Sequence, residues 1–215
     1  MPIMKIDKTN KPFFWLEAIS HLSKHDPILS NLITKHKSCE VLKSINNPFV
    51  TFFKIIVGQQ ISIEAANAIE ARIRKSVGKI TRKKILSADA NMLRACGLSF
   101  RKIEYLKGIA ELVDRDPNYF KKISKLNDSE AVENLTSLHG IGPWSAEMFL
   151  IFHFNRKNIL PLGDVGLVNS FCKNYKVDKE DFIKEICILK KSWEPYCTVA
   201  TWFLWRDIDE DVVQY

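Results

Sequence analysis

Apolar residues recur along most of this chain at the three-to-four spacing of one helix face. In "NPFVTFFKIIVGQQ", Phe49, Phe52, Phe53 and Ile56 stand at i, i+3, i+4 and i+7, and Gly58 interrupts the pattern. "SIEAANAIEARIRKSVG" repeats it with Ala66, Ile69, Ile73 and Val77 before Gly78. "SFRKIEYLKGIAELV" puts Ile103, Leu106, Ala110 and Val113 on one side, with Ser99 as the N-cap. Alternation of period two is missing, apart from a trace in "NILPL" around residues 158–162. The pattern predicts an all-α fold of about ten short helices. The turn "INNPF" (45–49) and the loop "FNRKNILPLGD" (154–164) are its strongest breaks. They predict two helical subdomains: residues 46–155, and a second built from both chain ends, 1–45 with 156–215. Residues 1–45, "PFFWLEAISHLSKHDPIL" included, read as helical.

One interruption concentrates turn chemistry, in "LTSLHGIGPWSAEMFL" at residues 135–150. Upstream, Asn127 and Glu130 have the spacing of a capping box, so a helix is expected to start there and run to about Leu138. Gly140 supplies a position open to positive φ, a natural stop. Gly142 precedes Pro143, and proline at the first helical position gives up an N–H that would be unpaired anyway. The following "WSAEMFLIFHF" is apolar nearly all round, which predicts burial. The result is helix, "HGIG" hairpin, helix over residues 127–150. Two glycines leave the hairpin N–H groups open beside a helix N-terminus, where the dipole favours anions, so a DNA phosphate can dock there. A packed αα-corner that binds nothing fits the same residues. His139 reads as an exposed turn residue.

Composition narrows the classes. An apolar fraction of 46% describes an ordinary globule, and no apolar run approaches the roughly 18–20 residues that span a bilayer. "MPIMKIDKTNKPFFWLE" has neither a continuous apolar h-region nor a small-residue cleavage site, so no membrane association and a cytoplasmic location are expected, with the nucleoid as the place if the source is bacterial. Cys39, Cys96, Cys172, Cys187 and Cys197 are odd in number and scattered, without a CxxC pair. That spacing argues against a disulfide framework, a zinc site or an iron–sulfur cluster, and buried inert thiols are expected. The formal charge of +7 is compatible with a polyanionic partner.

The hairpin sequence resembles the helix-hairpin-helix of the HhH-GPD superfamily of DNA glycosylases, which also carries a Gly/Pro-rich loop followed by an aspartate. "LPLGDVGLVNSF" (160–171) supplies that loop at the family's distance from the hairpin. "FFKIIVGQQIS" is similar to a segment of the 3-methyladenine DNA glycosylase II branch, and "CGLSFRKIEYLKGIA" and "WEPYCTVATWFLW" resemble two further family blocks. The likeness runs from about residue 46 to 205, in five ordered blocks. It implies two helical subdomains with the active site in the cleft between them. The implied activity is hydrolysis of the N-glycosidic bond of alkylated bases, chiefly 3-methyladenine with 7-methylguanine as a further substrate, in base excision repair. Double-stranded DNA carrying damaged bases is the expected partner of a monomeric enzyme. Two rivals remain open: a glycosylase for oxidised or mispaired bases, and a non-catalytic helix-hairpin-helix DNA-binding protein. Residues 1–45 are too few for the extra N-terminal β domain of larger members.

Residue by residue, the resemblance gives Asp164 the catalytic role. On its own chemistry Asp164 is also a good N-cap for a helix starting at Val165, and the two roles are compatible. A carboxylate at a helix N-terminus is favoured in its charged form, and glycosidic cleavage develops positive charge on the sugar that an anion stabilises. The same group can orient or deprotonate the attacking water. Family members that also cut the strand carry a lysine nucleophile in the second hairpin helix. The matching residue here is Trp144, whose indole cannot form a Schiff base, so a monofunctional enzyme without lyase activity is expected. The resemblance places Trp144 in the base pocket, where an electron-rich face suits a cationic alkylated purine, although an aromatic on an apolar helix also reads as core. Tyr196 matches a second pocket aromatic, usually tryptophan in the family. Gln60 matches the side chain that fills the gap left by a flipped base; Gln59 and Gln60 capping the Gly58 turn is the plainer reading. Phe53, Trp202 and Trp205 read as core. At the hairpin, Gly140, Gly142 and Ser145 are expected to face phosphate. The main-chain carbonyls of Thr136, Leu138 and Gly140 match those that hold a monovalent cation in relatives. No cofactor is expected to be required, and no iron–sulfur cluster.

Overall fold

Thirteen helices account for nearly all regular structure in the computed structural model, which describes residues 12–37, 42 and 47–208. Among the described residues there is no strand, and "NILPL" is irregular chain. They divide into two compact units, one formed by residues 12–37 and 42 together with 155–208, the other by residues 47–154. Ile45, Asn46, Cys39 and the first eleven residues, all covered by the expectations above, lie outside the described residues.

The continuous unit holds eight helices, α3 (Pro48–Gly58), α4 (Ile63–Val77), α5 (Arg82–Ser87), α6 (Ala90–Ala95), α7 (Phe100–Arg115), α8 (Tyr119–Ile123), α9 (Asp128–Thr136) and α10 (Pro143–Phe152). Helix α3 is its axis, and α4, α7 and α10 pack on it. Phe52, Phe53, Ile55 and Ile56 are wholly buried, and the Phe52 ring stacks on Phe149 of α10 at 4.1 Å between centroids. Capping follows the sequence closely: Ser62, Thr81, Asp89 and Ser99 each accept a backbone N–H at the start of α4, α5, α6 and α7. Asn127 and Glu130 form both halves of the capping box.

The discontinuous unit contains α1 (Trp15–His25), α2 (Pro27–Lys35), α11 (Val165–Tyr175), α12 (Phe182–Trp193) and α13 (Cys197–Arg206). Helix α13 is buried along its whole length, and α1, α2, α11 and α12 pack around it. Asp26 joins three of these elements. Its Oδ1 caps α2 through the Ile28 and Leu29 N–H groups, while Oδ2 accepts from the Tyr175 hydroxyl at 2.6 Å and the Trp193 indole at 2.8 Å. Burial, reinforced by the Asp26 carboxylate, pushes the Tyr175 hydroxyl far above the ordinary phenol range. At the far end of α13, Asp207 accepts from Lys35 of α2 and from Lys173 and Asn174 of α11. Burial works against the Asp207 charge, yet these hydrogen bonds hold its carboxyl well below the usual range.

Three expectations need correction. The helices are more numerous than about ten, because α5, α6 and α8 span only five or six residues, too few to show a period. Helix α9 ends at Thr136, short of Leu138: Ser137 still bonds back to Glu133, but Leu138 bonds to Leu135 in a tighter turn. The thiols are not uniformly buried: Cys96 and Cys197 are, Cys172 is partly exposed, and Cys187 lies on the outer face of α12. Burial pushes the Cys197 thiol up to about 12, aided by Glu194, which makes it inert at neutral pH. Among the described residues no helix is long and apolar enough to cross a membrane, and no three His, Cys, Asp or Glu residues are grouped to hold a metal ion.

Candidate functional site

The hairpin lies in the continuous unit. Its two glycines serve different ends. Gly140 has φ of +83°, and a Cβ on it would come within 2.2 Å of the Tyr105 ring, so it is demanded from inside by both backbone and packing. Gly142 has φ of −89° and open space around its would-be Cβ, so nothing within the chain requires a glycine there. No side chain caps α10, whose first residue is Pro143. An uncapped helix N-terminus behind a bare, exposed glycine is what close approach of an external anion needs. His139 is exposed in the turn, edge-on to Tyr105.

Ser145 is only 3% exposed, and its hydroxyl accepts from Gln59 Nε2 at 3.0 Å. The same amide donates to the Gly140 carbonyl at 3.0 Å. Sequence reading placed Gln59 in a local cap; it is the C-cap of α3, and its side chain also spans to the hairpin. Lys102 on α7 donates to the carbonyls of Val57 and Gln59, both at 2.8 Å, and burial lowers its pKa. Directly after these anchors Gln60 is exposed with φ of +58°, a left-handed conformation that costs a non-glycine residue about 1 kcal/mol or more. The chain is thus held immediately before its strained, exposed residue. Replacing Gln59 by Ala removes two partly buried hydrogen bonds. It is expected to lower stability by about 1–2 kcal/mol in urea titration and to weaken DNA binding several-fold. Unchanged values in both would show that the tie is incidental.

Helix α10 buries Ala146, Met148 and the residues through Phe152, as its apolar composition predicts, but Trp144 in its first turn is only half-buried and is not a core residue. Of the three carbonyls expected near a cation, that of Leu138 accepts the Ile141 N–H and that of Gly140 accepts from Gln59. Each keeps a second lone pair, so the oxygen set remains compatible with a monovalent ion.

Asp164 lies in the discontinuous unit, half exposed at the start of α11. The Asp164 N–H closes a turn onto the Pro161 carbonyl, which lifts the residue out of the preceding loop. Its Oδ1 accepts the Leu167 N–H at 2.7 Å, the N-cap bond anticipated from sequence, and also the Trp205 indole N–H at 2.8 Å. Gly163 before it is exposed with open space around it, and Val165 after it is 71% exposed. The carboxylate is therefore partly exposed, with Oδ1 held by two N–H donors. Tyr196 belongs to the same unit but is 4% exposed, stacked near Phe14 and edge-on to His21, with Lys157 over its ring. Burial, then the Glu17 carboxylate, pushes its hydroxyl up to about 12. Phe53 and Trp202 are wholly buried, as expected of core. Trp205 is buried too, but it touches the site. Its contact with Asp164 joins residues 41 apart in the chain, and no local pattern reports it.

Comparison with known proteins identifies a family and several relatives. The family described as HhH-GPD superfamily base excision DNA repair protein matches residues 53–195. DNA-3-methyladenine glycosylase 1 of Schizosaccharomyces pombe is 31% identical over 207 residues, covering 88% of this chain and 89% of that protein. The DNA-3-methyladenine glycosylase of Saccharomyces cerevisiae is 31% identical over 92% of this chain and 72% of its own length. The solved structure of the S. pombe 3-methyladenine DNA glycosylase in complex with abasic DNA superposes with a TM-score of 0.71, at 28% identity, covering 92% of this chain and all (100%) of that one.

Proposed function

The chain belongs to the HhH-GPD superfamily of base excision DNA repair proteins, and from that premise we propose that it is a DNA-3-methyladenine glycosylase, a hydrolase that releases alkylated bases from double-stranded DNA. The observation that carries the reading is Asp164, an accessible carboxylate at a helix N-terminus with one oxygen fixed by two N–H donors. In this role it stabilises the positive charge that develops on the sugar as the glycosidic bond lengthens, and it orients the water that completes hydrolysis. An alkylated purine already carries positive charge, so it departs without strong general-acid help. The site's one catalytic carboxylate is then sufficient.

The half-buried Trp144 offers its ring to the cationic base, where stacking and cation–π attraction favour an alkylated purine over a normal one. Tyr196, packed inside its own unit, contributes through its packing rather than as a hydrogen-bonding group. Gln60 fills the stack after the base has left it; the rigid anchoring of its loop by Gln59 and Lys102 supports that role. At the hairpin, the N–H groups around Gly140 and Gly142 receive a phosphate, with Ser145 acting through Gln59 rather than by direct contact. A monovalent cation held by the carbonyls of Thr136, Leu138 and Gly140 would supply positive charge to the same phosphate. With Trp144 where strand-cutting relatives have a lysine, the product is an abasic site in an intact strand.

The test is release of 3-methyladenine and 7-methylguanine from methylated duplex DNA, with strand integrity followed on the same samples. Release with intact strands is expected. Release of oxidised or mispaired bases alone would replace the substrate class, and DNA binding without any release would leave a binding protein. Gly142→Ala tests the docking corner separately. It is expected to leave thermal stability within about 0.5 kcal/mol, because its backbone and surroundings tolerate a methyl group, while weakening duplex affinity roughly tenfold. Unchanged affinity would remove the phosphate from this corner.

A further inference from the structure

Trp205 is a buried aromatic that reaches the proposed reacting group. We propose that Trp205 is a positioning residue for Asp164, fixing the carboxylate in the orientation that the sugar and water require; this rests on Asp164 being the reactive carboxylate. Three observations carry it. The indole Nε1 donates to Asp164 Oδ1 at 2.8 Å, on the same oxygen that the Leu167 N–H reaches at 2.7 Å. The Leu167 bond comes from the helix that Asp164 itself caps, whereas the indole adds a donor to the same oxygen from α13, a different element. An indole N–H donates and never accepts, so it can only hold this oxygen as an acceptor.

Second, the sequence makes room for the contact. A Cβ on Gly166 would come 3.1 Å from Asp164 Oδ1 and 3.3 Å from Trp205 Cδ1. Gly166 lies in the first turn of α11 without positive φ, where glycine costs up to about 1 kcal/mol against alanine. Clearance for the indole on the carboxylate is the compensation the structure offers. Third, the indole is held in register from both sides. Ser170 donates to the Leu204 carbonyl at 2.5 Å, and Asp207 accepts from Lys173 at 2.9 Å and from Asn174 at 3.0 Å. These ties flank residue 205 and lock α13 onto α11. At 7% exposure the indole makes its bond largely away from water, where a charge-assisted bond is strong.

The test compares Trp205→Phe, Gly166→Ala and Asp164→Asn with wild type in single-turnover release of methylated bases from methylated duplex DNA. Affinity for an abasic-site duplex and thermal unfolding are measured beside it. Trp205→Phe keeps the ring's packing and loses the donor. It is expected to slow release about tenfold or more, with duplex affinity unchanged. Gly166→Ala pushes the indole away without removing it and should slow release in the same sense. On the folded proteins, the Trp205 indole N–H resonance should move in Asp164→Asn, because its acceptor has changed from carboxylate to amide. A Trp205→Phe enzyme at wild-type rate beside an inactive Asp164→Asn would overturn the positioning role and leave the glycosylase reading intact. Parallel losses of rate, affinity and stability, with an unmoved indole resonance, would reduce Trp205 to packing. Full release by Asp164→Asn would remove the proposed role of Asp164, and the inference with it.

Discussion

Asp164→Asn is expected to lower the single-turnover rate of alkylated-base release by on the order of a thousandfold while leaving duplex affinity near wild type. The size follows from removing the one negative charge assigned to the developing cation. The selectivity follows from the cap. Asparagine is as good an N-cap as aspartate, and its carbonyl oxygen can still accept from the Leu167 N–H and the Trp205 indole. Helix α11 should therefore keep its start, and thermal unfolding should shift little. Asp164→Ala, by contrast, loses both charge and cap and should cost about 1 kcal/mol of stability as well. Wild-type release by Asp164→Asn would leave Asp164 as a cap alone and send the search for the reacting group elsewhere.

Gly140→Ala is the second large effect, and it acts on grip rather than on chemistry. The added Cβ would lie 2.2 Å from Tyr105 Cγ, inside any tolerable contact, and it would sit on a backbone with φ of +83°. The ring is the middle of a side chain that also receives His139 edge-on, so it cannot simply swing aside. Overpacking and the left-handed backbone together are expected to cost about 2–4 kcal/mol, read as a lower urea midpoint. The hairpin must shift off Tyr105, which also strains the Gln59 bond to the Gly140 carbonyl. Duplex affinity should fall by more than tenfold, in contrast to Gly142→Ala, which spares stability. Equal behaviour of the two glycine variants would contradict the division between an internally required and an externally required glycine.

That division marks where sequence reading succeeds and where it stops. The caps at Ser99, Asn127 and Asp164, the Gly142–Pro143 start and the burial of α10 were legible, because each depends on residues within four positions of one another. The apolar stripes of α3 and α7 were legible for the same reason. The short helices α5, α6 and α8 were not, since one or two turns leave no period to detect. Nor was the framework around the site. Gln59 meets Gly140 and Ser145 across more than eighty positions, Tyr105 lies under the hairpin from α7, and Trp205 meets Asp164 across α11 and α13. A glutamine after a helix and a tryptophan in an apolar helix have too many ordinary uses for their partners to be read from type alone. The residues proposed to react with or contact DNA carried a family signature; the residues that hold them in place did not.

The interleaving of the two units has a consequence for how the enzyme comes into being on the ribosome. Residues 47–154 form one uninterrupted unit, whereas α1 and α2 must wait for α11 to α13 before their own unit can close. At roughly 5–20 residues per second, that wait lasts on the order of ten seconds. The hairpin can thus mature during synthesis, while the surroundings of Asp164 are completed only after the last helix arrives.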